Sequence, residues 1–118
     1  GDVYKRQVMT DMKSGSQVSA TCNVVVMGDI SSGARVVASG NVIVMGSVSG
    51  FIHAGAHGNK NAYVVAGNLN PKVLQIAGNI AEAPDDDNYE ENKQNIPEIA
   101  FVSNDIIVIE SYLPKTIK

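Results

Sequence analysis

The chain has 118 residues, a net charge of −3 and a pI near 5.2; the length suits one domain, and the acidic balance argues against broad phosphate contact, so nucleic acid is not an expected partner. No apolar run reaches the roughly 20 residues that cross a bilayer, and no signal-peptide pattern opens the chain, which makes the cytoplasm the expected location. The single cysteine, Cys22, has no internal disulfide partner and reads as an inert, half-buried thiol.

Residues 1–7 (GDVYKRQ) match nothing that follows and resemble translated sequencing-adaptor sequence. Residues 1–11 are therefore expected to be a non-native or disordered leader. From Val18 onward an aliphatic residue recurs at every sixth position: Val24, Ile30, Val36, Val42, Val48 and then the smaller Ala54. Neither a helix nor a free strand has a six-residue period, so the period belongs to a β-solenoid that turns a corner every six residues. Residues 14–31 repeat as residues 32–49 with ten of eighteen positions identical. Three sides of six make one coil, and residues eighteen apart stack at roughly 4.8 Å. The register puts Gly15 under Gly33, Asn23 under Asn41 and Met27 under Met45. A third coil follows Gly50, interrupted by an inserted loop at residues 56–60, after which Asn61 to Val65 resume the pattern of Asn41 to Met45. Asn23, Asn41 and Asn61 then form a corner ladder.

Strand alternation sends Val24 and Val26 inward and leaves Val25, Met27, Ile43, Met45, Tyr63 and Val65 on one outer face. Six large apolar side chains together on a surface mark a covered face. A two-fold dimer is the expected cover; the alternative is that residues 89–113 fold back over it.

Val73 to Ile76 read as a further strand closed by Ala77 and Gly78. The β-helix domain is thus expected over residues 12–82. Residues 83–98 are an acidic loop carrying Asp85, Asp86, Asp87, Glu90 and Glu91; they lack the order of an EF-hand, and no metal is expected. Residues 99–102 and 106–109 flank Ser103, Asn104 and Asp105, a turn composition, giving a terminal hairpin over residues 99–113 and a tail at 114–118. The hairpin either caps the solenoid or crosses to a partner subunit.

Six-residue periodicity also describes the hexapeptide acyltransferases, in which a small residue follows the aliphatic position. Here Ser19, Val25, Ser31, Val37, Ile43 and Ser49 follow it, and glycine instead precedes it by two, as Gly28, Gly40 and Gly46 do. His53 and His57 lack an evident carboxylate to orient a general base. No catalytic residue and no cofactor is expected. A bactofilin-like structural solenoid that polymerises end to end is the main alternative, ahead of a hexapeptide-type acyltransferase.

The run KSGSQ at residues 13–17, GDISSGARVVASGNVIVMGSVSG at 28–50, AGAHGN, LQIAG and the terminal PEIAFVSNDIIVIESYL together resemble the C-terminal domain of the MinC family, septum-site-determining division inhibitors of bacteria. The resemblance implies a right-handed, three-sided, single-stranded β-helix that dimerises through one apolar face. It also implies binding to the membrane-associated ATPase MinD, which recruits the dimer to the inner face of the membrane so that FtsZ assembly is blocked away from mid-cell. The family's Arg-Ser-Gly-Gln contact motif falls on Lys13, Ser14, Gly15 and Ser16. Lysine keeps the charge there and lacks the guanidinium fork. Gly33, and Gly50 at the family's Arg-Gly-Arg segment, complete the implied MinD surface, with Ser49 and Phe51 standing where that segment has arginines.

Overall fold

A computed structural model describes residues 5–82 and 96–112, and no helix occurs among them. Eleven strands run in chain order: β1 (Lys5–Val8), β2 (Gln17–Ala20), β3 (Asn23–Val26), β4 (Arg35–Ala38), β5 (Val42–Val48), β6 (Phe51–Ala54), β7 (Val64–Leu69), β8 (Val73–Ile76), β9 (Asn79–Glu82), β10 (Glu98–Ser103) and β11 (Ile106–Ser111). They form two sheets, β1-β3-β5-β7-β10-β11 and β2-β4-β6-β8-β9. Every pairing from β1 to β8 is parallel. A third, short side joins the two sheets through the bridges of Met12 with Ile30 and Ile30 with Val48. This is a three-sided β-solenoid, as the six-residue period requires.

Its interior is a set of stacked aliphatic columns. Val24, Val42 and Val64 form one, Ile30 and Val48 another, and Val36, Ile52 and Leu74 a third; all are buried. No polar or charged residue is buried among the described residues, so each coil is held by sheet hydrogen bonds around a dry centre. Each fully buried side chain of this size contributes about 1.5–3 kcal/mol.

The glycine phase that separates this chain from the hexapeptide pattern has a structural cause. At the corner between the second and first sheets, Asn41 N–H donates to Asn23 Oδ1 at 2.8 Å, and Tyr63 N–H to Asn41 Oδ1 at 2.9 Å. At the corner after the first sheet, Asp11 Oδ1 accepts from Asp29 N–H and Asp29 Oδ1 from Ser47 N–H, both at 2.8 Å. The residues just before three of these donors are Gly28, Gly40 and Gly46, and a Cβ on each would overlap the accepting side-chain oxygen from the coil below. The glycines make room for an Asx ladder that threads both corners.

Four expectations change. Residues 5–11 are ordered in the fold rather than disordered: β1 pairs with β3 from Lys5 on Asn23 to Val8 on Val26, and Asp11 starts one ladder. An edge strand needs its backbone more than its side chains, and Lys5, Arg6 and Gln7 are all exposed. The third coil is also phased differently. Val65 stacks on Ile43 rather than Met45, because the corner from Val48 to Phe51 is shorter than the one from Ile30 to Arg35, whereas the path from Ala54 to Val64 is longer than expected. Asn61 consequently leaves the ladder, its N–H turning to Asn59 Oδ1 at 3.0 Å, and the ladder ends on Tyr63.

The last two changes concern the end of the stack. Ala77, at φ 54, turns the chain into β9, which returns antiparallel on β8; from sequence, β8 closes at Ala77 and Gly78 and no strand is expected next. Glu98, placed in the loop by sequence, opens β10. Its carboxylate accepts from Leu69 N–H at 2.9 Å. β10 runs antiparallel to β7 and pairs with β11 across a two-residue turn, Asn104 and Asp105, at φ 53 and 62. The hairpin therefore extends the first sheet of its own chain. The acids at 85–91, Leu113 and the tail lie outside the described residues.

Candidate partner-binding surfaces

Two surfaces collect the residues singled out from sequence. The first is the corner between the short side and the second sheet. Ser16 N–H donates to Lys13 O at 2.9 Å and Ala34 N–H to Ser31 O at 3.0 Å, closing two four-residue turns with Gly15 and Gly33 third in each, at φ 90 and 88. A turn of this kind needs positive φ at its third residue and so selects glycine. The turns stack, with Gly15 N–H donating to Gly33 O at 3.0 Å. Lys13, Ser14, Gly15 and Gly33 are exposed, and a Cβ on Gly15 would meet nothing within 4 Å. Gly50 lies at the same corner one coil on, but not over Gly33 in register. It is buried, with the carbonyl oxygens of Ser31 and Ala34 against it.

The second surface is the outer face of the first sheet. Val25, Ile43, Val65 and Ile99 share one row across four strands, each half-buried beside a fully buried neighbour. Met27 and Met45 are 41% and 60% exposed. Tyr63, expected in this row, stands over Asn41 at the edge of the face. Ile99 and Phe101 of β10 enlarge the patch beyond the expected six residues. Their contribution was hidden because the register of an antiparallel return cannot be read from the parallel repeat. A groove of about 290 Å³ runs along the face between Met45 and Tyr112.

The histidines lie apart from both surfaces. His57 Nδ1 pairs with Ser39 Oγ, and His53 Nε2 lies 3.1 Å from Ala77 O; among the described residues neither is hydrogen-bonded to a carboxylate. Cys22 is half-buried at the asparagine corner.

The chain as a whole matches one known family. The sequence model of the septum formation inhibitor MinC, C-terminal domain, matches residues 6–112. The chain belongs to the MinC family. A probable septum site-determining protein MinC of Clostridium acetobutylicum is 43% identical over 107 residues, 91% of this chain and 40% of the relative. That of Acetivibrio thermocellus is 47% identical over 103 residues, 87% of this chain and 44% of the relative. That of Clostridioides difficile is 76% identical over 55 residues, 46% and 24% of the two. The chain spans less than half the length of these MinC relatives. Among solved structures, a chain of the MinC:MinD cell division protein complex of Aquifex aeolicus superposes with a TM-score of 0.84 at 27% identity, covering 94% of this chain and 88% of that one. The β-solenoid with its terminal hairpin is thus a fold shared with that complex. No helix among the described residues is long and apolar enough to cross a membrane.

Proposed function

We propose that this chain is a non-enzymatic division-regulator domain that dimerises through the outer face of its first sheet and binds MinD through Lys13, Ser14, Gly15, Gly33 and Gly50. The observation that carries the reading is the pair of stacked, exposed turns at Gly15 and Gly33, where main chain without side chains invites close backbone approach. Likeness to a MinC:MinD complex supports the choice of partner. MinD would hold the dimer at the inner face of the membrane, and the dimer would there oppose FtsZ ring assembly. End-to-end polymerisation fits less well, because β9 and β10 return antiparallel and end the parallel stack.

The test is co-sedimentation of this chain with a clostridial MinD and lipid vesicles, in ATP or ADP. Gly15→Asp is the diagnostic variant, since its side chain enters open space and aspartate tolerates positive φ better than most residues. ATP-dependent pelleting that the variant loses is the expected result. A folded wild-type chain that never pellets would remove MinD from the reading.

A further inference from the structure

The glycine corner narrows at its third coil. From Ile30 the chain reaches Arg35 through four intervening residues, whereas from Val48 it reaches Phe51 through two, although Ile30 bridges Val48 and Arg35 pairs with Phe51. The main chain at Ser49 and Gly50 therefore cuts inside the path of the coil below. Gly50 can be nothing larger: a Cβ there would stand 2.5 Å from Ala34 O and 2.6 Å from Ser31 O. The next coil steps out again through Lys72. What remains is a surface notch of about 250 Å³, with buried Ala34 and Gly50 as its floor, half-buried Phe51 and Val73 as its wall, and exposed Arg35 and Lys72 at its rim.

Among the described residues the rim is cationic and unneutralised. The guanidinium of Arg35 lies 4.2 Å from the centroid of the Phe51 ring, a stacking that holds the cation in place while leaving its N–H fork free. Neither Arg35 nor Lys72 makes an ion pair among the described residues, where the ion pair formed is Lys60 with Asp105. The notch is smaller than the roughly 300–1,000 Å³ of sites that enclose a small molecule. Its size and charge suit one inserted side chain.

We propose that the notch receives a carboxylate side chain of the bound partner, held between Arg35 and Lys72. This rests on the reading that MinD docks on the glycine corner, and it names the chemistry of a contact beyond the turn motif: the partner presents an acidic residue two coils above Lys13. Arg35 and Lys72 are then positioning and specificity residues of the interface.

The experiment measures binding of this chain to ATP-loaded clostridial MinD on vesicles, at several salt concentrations. The variants are Lys72→Glu, Lys72→Met, Lys72→Arg, Arg35→Glu and Gly15→Asp, with circular dichroism as the folding control. A charge-assisted contact predicts binding about tenfold weaker or worse for Lys72→Glu and Arg35→Glu, an intermediate loss for Lys72→Met, near wild-type binding for Lys72→Arg, and a flatter salt dependence in the weakened variants. If both glutamate variants bind like wild type while Gly15→Asp does not, the notch is no contact and the MinD reading stands without it. If the folded wild-type chain shows no ATP-dependent binding, both fall together.

Discussion

The Asx ladder makes a coupled prediction at Gly40 and Asn23. A methyl group on Gly40 would occupy the space of Asn23 Oδ1, with Asn23 Cγ at 3.1 Å and its backbone N at 3.2 Å, so the side chain, not the main chain, must yield. Yielding breaks the 2.8 Å bond to Asn41 N–H, which is partly buried. Gly40→Ala should thus lose one hydrogen bond, about 1 kcal/mol, with up to about 2 more for an unpaired donor and displaced packing, offset by about 0.4–1 kcal/mol from a stiffer unfolded chain. The net loss is about 1–2 kcal/mol. Asn23→Ala alone loses the same bond, again about 1–2 kcal/mol. In the double variant the obstructing oxygen is already gone and the bond can be lost only once, so Gly40→Ala should become neutral or slightly stabilising on that background. Urea unfolding followed by circular dichroism, at one fixed protein concentration, gives the cycle. Additivity within about 0.5 kcal/mol would show that glycine stands at position 40 for some reason other than the ladder.

Two further outcomes follow from the apolar face and the terminal hairpin. Ile43→Glu places a charge in the middle of the Val25, Ile43, Val65 and Ile99 row, and under the proposed dimer sedimentation velocity should show dimer for the unaltered chain and monomer for the variant, with the β spectrum retained. A variant that stays dimeric would move the interface elsewhere. At Asp105, with φ 62 in a two-residue turn, glycine should raise the unfolding midpoint slightly and valine should lower stability by about 1–2 kcal/mol. The exposed Lys60–Asp105 ion pair, at 3.6 Å, is too weak to reverse that order, and a valine variant as stable as wild type would refute the assigned turn.

The coil geometry was legible because a solenoid repeats its own solution. Once Val24 is buried, stacking buries Val42, and alternation puts Val25 and Ile43 outside without further information. The same logic failed where the repeat is broken. Lys5 to Val8 keep little of the aliphatic signal: Arg6 stands where the coil above has Val24 and only Val8, over Val26, packs on the core, because an edge strand can pair through its main chain with exposed side chains. β9 and β10 run against the stack, so neither the six- nor the eighteen-residue register reaches them. Ile99 and Phe101 were assigned to a hairpin without being assigned to a face.

The glycine corner shows why a site on a solenoid is harder to read than its core. Burial tolerates a local shortening: Ile52 and Ala54 remain fully buried although their coil lost residues at one corner, and the longer excursion before Val64 restores the inward phase. Hydrophobic periodicity therefore reports nothing about the missing residues, because the core columns are satisfied on both sides of them. The surface cannot average in this way. Each shortened corner leaves a step, and here the step sets Gly50 back from the stacked turns at Gly15 and Gly33 and opens a notch between Arg35 and Lys72. Two positions that count as ordinary exposed cations along the sequence become neighbours of one recess, and the feature that would have revealed them is the difference between a sixteen-residue and an eighteen-residue step on the same sheet.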